Sequence, residues 1–263
     1  MDQIKNIVIL GAGNVAAHLS QALAAKGFDI TQIYSRTEEK GRRLAALLGT
    51  GYAGSVKDIN PDADLYIMAL SDTALSEIAM QFNVDQGIVV HTSGSVGMDV
   101  LKDCSNYTGV VYPLQTFREG NQIPFDAIPV CVEASDSDVE ERLLDLAGRL
   151  STNVRVLNSG QRKILHLTAV FASNFTNYLY TIAEDLLLQN DIPFDLLEPL
   201  IMRTAANASH SNLFSLQTGP AVRGDTAILE SHMELLSGDK AYKEIYELIS
   251  KQIIQHKHRH GKL

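Results

Sequence analysis

Three sets of residues in this chain have types and spacings suited to chemistry. The first lies in residues 4–16, IKNIVILGAGNVA, where Gly11, Gly13 and Ala16 fit the G-x-G-x-x-G/A pattern of a dinucleotide-binding turn. Gly11, with no Cβ, lets the backbone turn sharply out of a strand. Gly13 lets a pyrophosphate approach the main chain, and Ala16 lets the next helix pack on the strand. The amides that open this helix have no partners within it, so Gly11, Ala12, Gly13, Asn14 and Val15 are the expected phosphate contacts.

The second set is Ser35-Arg36-Thr37, at the tip of an expected second strand, with Lys40 one turn on. An NAD-binding fold usually carries a carboxylate there for the ribose 2′-OH. None stands here. Arg36 can stack on adenine or fork onto a 2′-phosphate, and Ser35 and Thr37 can hydrogen-bond to it. The reading is NADP(H) rather than NAD(H).

The third set is uncharged and polar. Ser71 follows the apolar run DLYIMAL, and Thr92-Ser93-Gly94-Ser95 follows GIVVH. Leu70, Ser71 and Thr92 are expected beside the nicotinamide, with Ser93 orienting a substrate and Asp72 capping the helix that starts near Ala74. His166, Ser173 and Asn174 stand on a later helix. Histidine changes charge near neutral pH, so His166 is the candidate general acid or base, and Asn174 the candidate for holding the reacting group.

The elements that must position these residues alternate in the first half. Apolar runs at residues 7–10, 29–34, 64–70, 87–91, 109–112, 128–132 and 154–157 read as strands, with a short one near residues 49–54. Val15, Leu19 and Leu23 fall at helical spacing, and residues 42–48 and 139–150 read as helices. Near Asn158 strands give way to helices. The expected fold is α/β: a Rossmann-type, doubly wound, mostly parallel sheet over residues 1–157, then an all-α domain over 158–263. Residues 161–190 read as one long helix, with Phe171, Phe175, Tyr178, Leu179, Ile182 and Leu186 on one face and His166, Ser173 and Asn177 opposite. No Lys or Glu occurs between Lys163 and Glu184, which suggests a second covered surface, a cleft wall or a subunit contact. A further helix over residues 195–212 tolerates Pro199 in its first turn and carries Arg203, Asn207 and His210 as a polar stripe. Arg223 could anchor an anion or pair with a neighbouring helix, and Asp225 reads as an N-cap. The tail with His256, His258 and His260 reads as disordered and solvated.

Among 263 residues, 45% are hydrophobic and the formal charge is −9, which argues against nucleic acid as a partner. Cys104 and Cys131 have no metal-ligand spacing. No signal or membrane-spanning pattern is visible, so a cytoplasmic protein with no membrane partner and no bound metal is expected.

The segments GAGNVA, YSRT, HTSGS, YPLQTF, HLTAVFASNF and TGPAVRGD resemble a bacterial Rossmann-like NADP oxidoreductase family with a short helical C-terminal domain. More distantly, the layout is similar to the phosphogluconate dehydrogenase-like superfamily, which includes pyrroline-carboxylate reductase and prephenate dehydrogenase. The resemblance implies a substrate-side histidine or asparagine on the His166–Asn174 helix, and a small-molecule substrate bearing a carboxylate. Together with the surplus of apolar helix surface it implies a homodimer through the C-terminal helices. Hydroxyacid dehydrogenases of that superfamily carry a catalytic lysine four residues before the asparagine; this chain has Val170. An imine or enamine reduction needs less acid–base help and stays open. The alternative is a catalytically silent NADP(H)-binding sensor or partner protein.

Overall fold

Short apolar runs bounded by glycine, aspartate or serine become strands buried on both faces. The computed structural model describes residues 3–120, 123–209 and 212–260. It begins β1 (Asn6–Leu10), α1 (Asn14–Ala25), β2 (Asp29–Tyr34), α2 (Glu38–Leu48), β3 (Gly51–Ala53) and β4 (Leu65–Met68). Then come α3 (Asp72–Ala79), β5 (Ile88–His91), β6 (Thr108–Pro113), β7 (Val130–Ala134), α4 (Ser137–Leu150) and β8 (Val154–Val156). The strands form one sheet in the order β3-β2-β1-β4-β5-β6-β7-β8. Every neighbouring pair is parallel except β6 and β7. The first six strands thus have the order of a dinucleotide-binding fold, and two strands are added at one edge.

Side-chain alternation divides the core. Ile7, Ile9, Leu65 and Ile67 pack with Leu19 and Leu23 of α1 on one face. Val8, Leu10, Tyr66 and Met68 pack with Leu75 and Ile78 of α3 on the other. Chain direction across the sheet reverses between β1 and β4, and the segments leaving these two strands must diverge there. Gly11 has φ +130°, and a Cβ on it would lie 2.2 Å from the Ala69 carbonyl oxygen.

After β8, a capping box in which Asn158 and Gln161 satisfy each other's backbone opens α5 (Ser159–Ala169). The expected uninterrupted helix over residues 161–190 is corrected here. α5 runs into a π-helical turn at Val170–Phe175 before α6 (Thr176–Leu188) begins. A π turn takes in an extra residue and rotates the helix beyond it, so α-helical spacing does not relate His166 to Asn174.

The chain divides into two compact units, one ending at Phe175 and one starting at Thr176. The second contains α6, α7 (Glu198–Asn207), α8 (Pro220–Arg223), α9 (Thr226–Leu235) and α10 (Lys240–His260). α7 is shorter than expected, because residues 194–197 form a 3-10 turn, with Pro199 in the first turn of α7. His210 lies outside the described residues. Asp225 occupies the N-cap of α9 but makes no cap bond; its carboxylate instead takes Nε of Arg223 at 2.8 Å. The tail is helical rather than disordered: Nζ of Lys257 donates to the Val222 carbonyl at 2.6 Å, and His256 lies 4.2 Å from the Phe214 ring. Among the described residues, Ala221 and Leu236 are the buried apolar side chains of this unit.

Gly11→Ala forces a side chain into both a positive φ and the Ala69 carbonyl. The expected loss of stability is at least about 2 kcal/mol, read as a lower urea midpoint.

Candidate functional site

The elements of the first unit bring the candidate residues to the carboxyl ends of β1, β2, β4 and β5. Gly13 is the N-cap of α1, without a side-chain cap bond, and the first turn holds no acid. Gly13 and Asn14 are exposed and Ala12 and Val15 partly so. A Cβ built on Gly13 would meet nothing within 4 Å, so the protein itself makes no demand for glycine there. The Asn14 side-chain amide donates to the Phe117 carbonyl at 3.1 Å, and the His18 ring lies 3.0 Å from the Arg118 carbonyl. These bonds hold residues 117 and 118 beside α1.

At the β2 tip, Ser35 is buried and shapes its own loop. Its hydroxyl donates to the Thr37 carbonyl (3.1 Å) and accepts from the Thr37 amide (3.2 Å). In the absence of cofactor its proton is engaged within the loop. Arg36 and Thr37 are exposed, and Nη1 of Arg36 lies 2.7 Å from Oε2 of Glu77 on α3.

Around the β4 and β5 ends, Leu70 is half-buried, Ser71 exposed and Thr92 buried. Ser71, not Asp72, is the N-cap of α3. The Asp72 carboxylate does a different job from the expected capping. It accepts from the Ser93 hydroxyl at 2.7 Å and from the Ser95 hydroxyl. The Ser93 hydroxyl also accepts from the amides of Ser95 and Val96, while its own amide donates to Nδ1 of His91. With its hydroxyl proton turned to Asp72, Ser93 holds the 92–96 loop.

Arg162 carries no signal of its role in the sequence. It is fully buried on α5, pairs with Glu133 of β7, and donates to the carbonyls of Ser93 (3.1 Å) and Val96 (2.6 Å). The Ser159 hydroxyl binds both carboxylate oxygens of Glu133 at 2.9 Å. The available signal was Glu133 itself, a lone charge in the apolar strand VCVEA. Burial, aided by the Arg162 guanidinium, pulls the imidazole of His91 down from 6.5 to about 4, so it stands neutral beneath the loop.

His166 is half-buried, with Nδ1 3.2 Å from the hydroxyl of Tyr112, a second residue that sequence reasoning missed. The Thr116 and Ser173 hydroxyls are 3.3 Å apart. Asn174 is exposed, and its side chain makes no hydrogen bond among the described residues. Phe171 and Phe175, expected on a core-facing stripe, are 61% and 50% exposed. Cys104 and Cys131 are free, buried thiols. No group of three or more metal-ligating side chains occurs among the described residues, and none of their helices is long and apolar enough to cross a membrane.

Both buried groups bear on stability. Glu133→Ala leaves a buried guanidinium without its counter-ion and is expected to cost about 3–5 kcal/mol in urea unfolding, with the Arg162→Met, Glu133→Leu double variant recovering most of it. His91 binds a proton more readily unfolded than folded, so its contribution is full above pH 6.5 and lost as pH falls towards 4. Wild type should lose up to roughly 3 kcal/mol through this group between those limits, and His91→Gln should show a shallower decline in urea stability over the same pH range.

Residues 6–93 match a family model described as NADP oxidoreductase, coenzyme F420-dependent, and residues 128–253 match one described as a domain of unknown function, DUF2520. The protein BF3122 of Bacteroides fragilis, provisionally named an NADP oxidoreductase, is 40% identical, with 96% of this chain and 98% of that one covered and a TM-score of 0.90. An imine reductase of Myxococcus stipitatus in complex with NADP+ shares the fold at 14% identity, with 97% and 95% covered and a TM-score of 0.68. The 1-pyrroline-5-carboxylate reductase of Streptococcus pyogenes does so at 15%, with 95% and 98% covered and a TM-score of 0.59. Among characterised proteins, the glutamyl-tRNA reductase of Caldivirga maquilingensis is 28% identical over 114 residues, a stretch covering 38% of this chain and only 28% of that protein. With its sheet order, its open glycine turn and a 40% identical relative aligned along nearly the whole length, the chain belongs to the NADP oxidoreductase family that includes the Bacteroides protein.

Proposed function

We propose that the protein transfers hydride between NADP(H) and a small, carboxylate-bearing keto/hydroxy or imino acid. The observation that carries this reading is the bare start of α1: an uncapped helix N-terminus at the point where the sheet order reverses, behind a glycine facing empty space. Gly11, Ala12, Gly13, Asn14 and Val15 hold the pyrophosphate. Arg36 exchanges Glu77 for the 2′-phosphate, assisted by Thr37, in the loop shaped by Ser35. Leu70, Ser71 and Thr92 flank the nicotinamide, which supplies or accepts the hydride. His166 acts as acid or base, Asn174 holds the reacting group, and Ser93 keeps the loop beside them in place. The chemistry at C=N has precedent in this fold, since imine and pyrroline-carboxylate reductases share it.

In this reading residues 1–157 bind the nucleotide, and residues 158–263 supply the substrate side and a homodimer contact. The dimer rests on exposure. Tyr178, Leu179, Leu188, Leu200, Met202 and Leu213 are each 41–75% exposed, in a unit with almost no buried core of its own. Two free buried thiols agree with a reducing, cytoplasmic setting.

A thermal-shift comparison tests the cofactor site. NADPH should stabilise the protein more than NADH, with about 2.7 kcal/mol at a hundred times the dissociation constant. Arg36→Ala should narrow the gap between the two nucleotides; equal shifts in wild type would refute the 2′-phosphate assignment. Gly13→Ala should leave the ligand-free melting temperature unchanged and weaken NADPH about tenfold or more, roughly 1.4 kcal/mol.

A further inference from the structure

Tyr112 lies at the end of β6, buried, with its hydroxyl 3.2 Å from Nδ1 of His166 and the two rings nearly perpendicular at 73°. No other hydrogen bond of that hydroxyl occurs among the described residues. Gly94 also lies against the imidazole. A Cβ there would lie 2.7 Å from Nδ1, 2.8 Å from Cγ and 2.9 Å from Cβ of His166. Gly94 is not in the left-handed region, so the imidazole, not the backbone, requires a glycine at this position. The loop that carries Gly94 cannot retreat, because Asp72 and Arg162 hold it from two other elements. The ring is therefore in contact with both a fixed loop and a phenol.

The phenol decides where the ring's proton sits. Burial raises Tyr112 above the usual tyrosine value, so it keeps its proton at neutral pH. A phenol is a stronger donor than acceptor and an imidazole nitrogen a good acceptor, so the pair is best satisfied as O–H to Nδ1, which requires a lone pair on Nδ1. In that arrangement the proton of the neutral ring resides on Nε2, which makes no hydrogen bond among the described residues, on a side chain still half exposed.

We propose that Tyr112 is the positioning residue that holds His166 against Gly94 in the Nε2–H tautomer, so that the ring offers an N–H donor to a hydrogen-bond acceptor on the substrate. The oxidised partner of a hydride reaction carries such an acceptor, an atom with lone pairs and no proton to give. The substrate-facing half of this proposal rests on the reading of His166 given above; the tautomer does not.

The test is a long-range 15N–1H correlation spectrum of the imidazoles in the uniformly 15N-labelled full chain, without cofactor or substrate. It is recorded at about pH 8.5, two units above the ordinary imidazole value, and His166 is assigned by the loss of its signals in His166→Gln. The expected spectrum shows His166 protonated at Nε2 and bare at Nδ1. Tyr112→Phe should convert it to a mixture of tautomers. Tyr246→Phe, which removes the hydroxyl 2.7 Å from Nδ1 of His232, should leave the His166 signals unchanged. A wild-type ring protonated at Nδ1, or a Tyr112→Phe spectrum identical to wild type, overturns the proposal. Should Tyr112→Phe fail to fold, Gly94→Ala takes its place. Its methyl group drives the ring off the phenol and should produce the same mixture, and an unchanged ring overturns the pairing. A retained tautomer combined with undiminished NADPH oxidation in His166→Gln overturns the substrate-facing role, and leaves the Tyr112–His166 pair standing.

Discussion

A guanidinium with no exposure to solvent survives only if its donors are matched, and the match at Arg162 organises the reactive end of the sheet. Its partners come from β7, from the loop after β5 and from the start of its own helix. None of these segments can shift without leaving a charge stranded in the interior. A buried ion pair adds little net stability over an apolar substitute of the same shape; what this one adds is a single permitted geometry. The 92–96 loop, braced also by Asp72, is a preformed wall. Its fixed position is what turns Gly94 into a seat for an imidazole.

The two fingerprint glycines divide the requirement for glycine between the protein and its ligand. Gly11 is demanded by the chain: its backbone is left-handed, and it abuts the Ala69 carbonyl where β1 and β4 part company. Gly13 is demanded by nothing in the chain. A residue kept small next to open space, at a helix start with no cap, matches the outline of a bound phosphate.

Legibility in the sequence tracks the range of the forces involved. The glycine turn, the strands and the helix over residues 139–150 are encoded by neighbours within a few residues, and the β2 tip likewise shows its missing carboxylate directly. The links that assemble the site join distant residues: Asp72 to Ser93 spans 21 positions, Glu133 to Arg162 spans 29, and Tyr112 to His166 spans 54. No local pattern encodes such pairs. Asp72 resembles a cap because an acid near a helix start usually is one. The π turn at Val170–Phe175 carries no proline or glycine to announce it, and an apolar stripe drawn through it assumes a regular helix. Glu133 was the one legible hint, a carboxylate that an apolar strand has no reason to hold unless a cation awaits it.

The helical unit has a different kind of consequence. With Ala221 and Leu236 as its buried apolar side chains among the described residues, it lacks the interior that ordinarily holds an autonomous domain of such size together. Leu188, Leu200, Leu213 and Leu235 face outward, so in the homodimer proposed above the partner takes part in the folding reaction, and cohesion varies with how much partner is present. In such a dimer, residues that look like tolerant surface in a single chain come under the constraints of an interior, and a charge placed at Leu200 or Met202 would act as a core lesion.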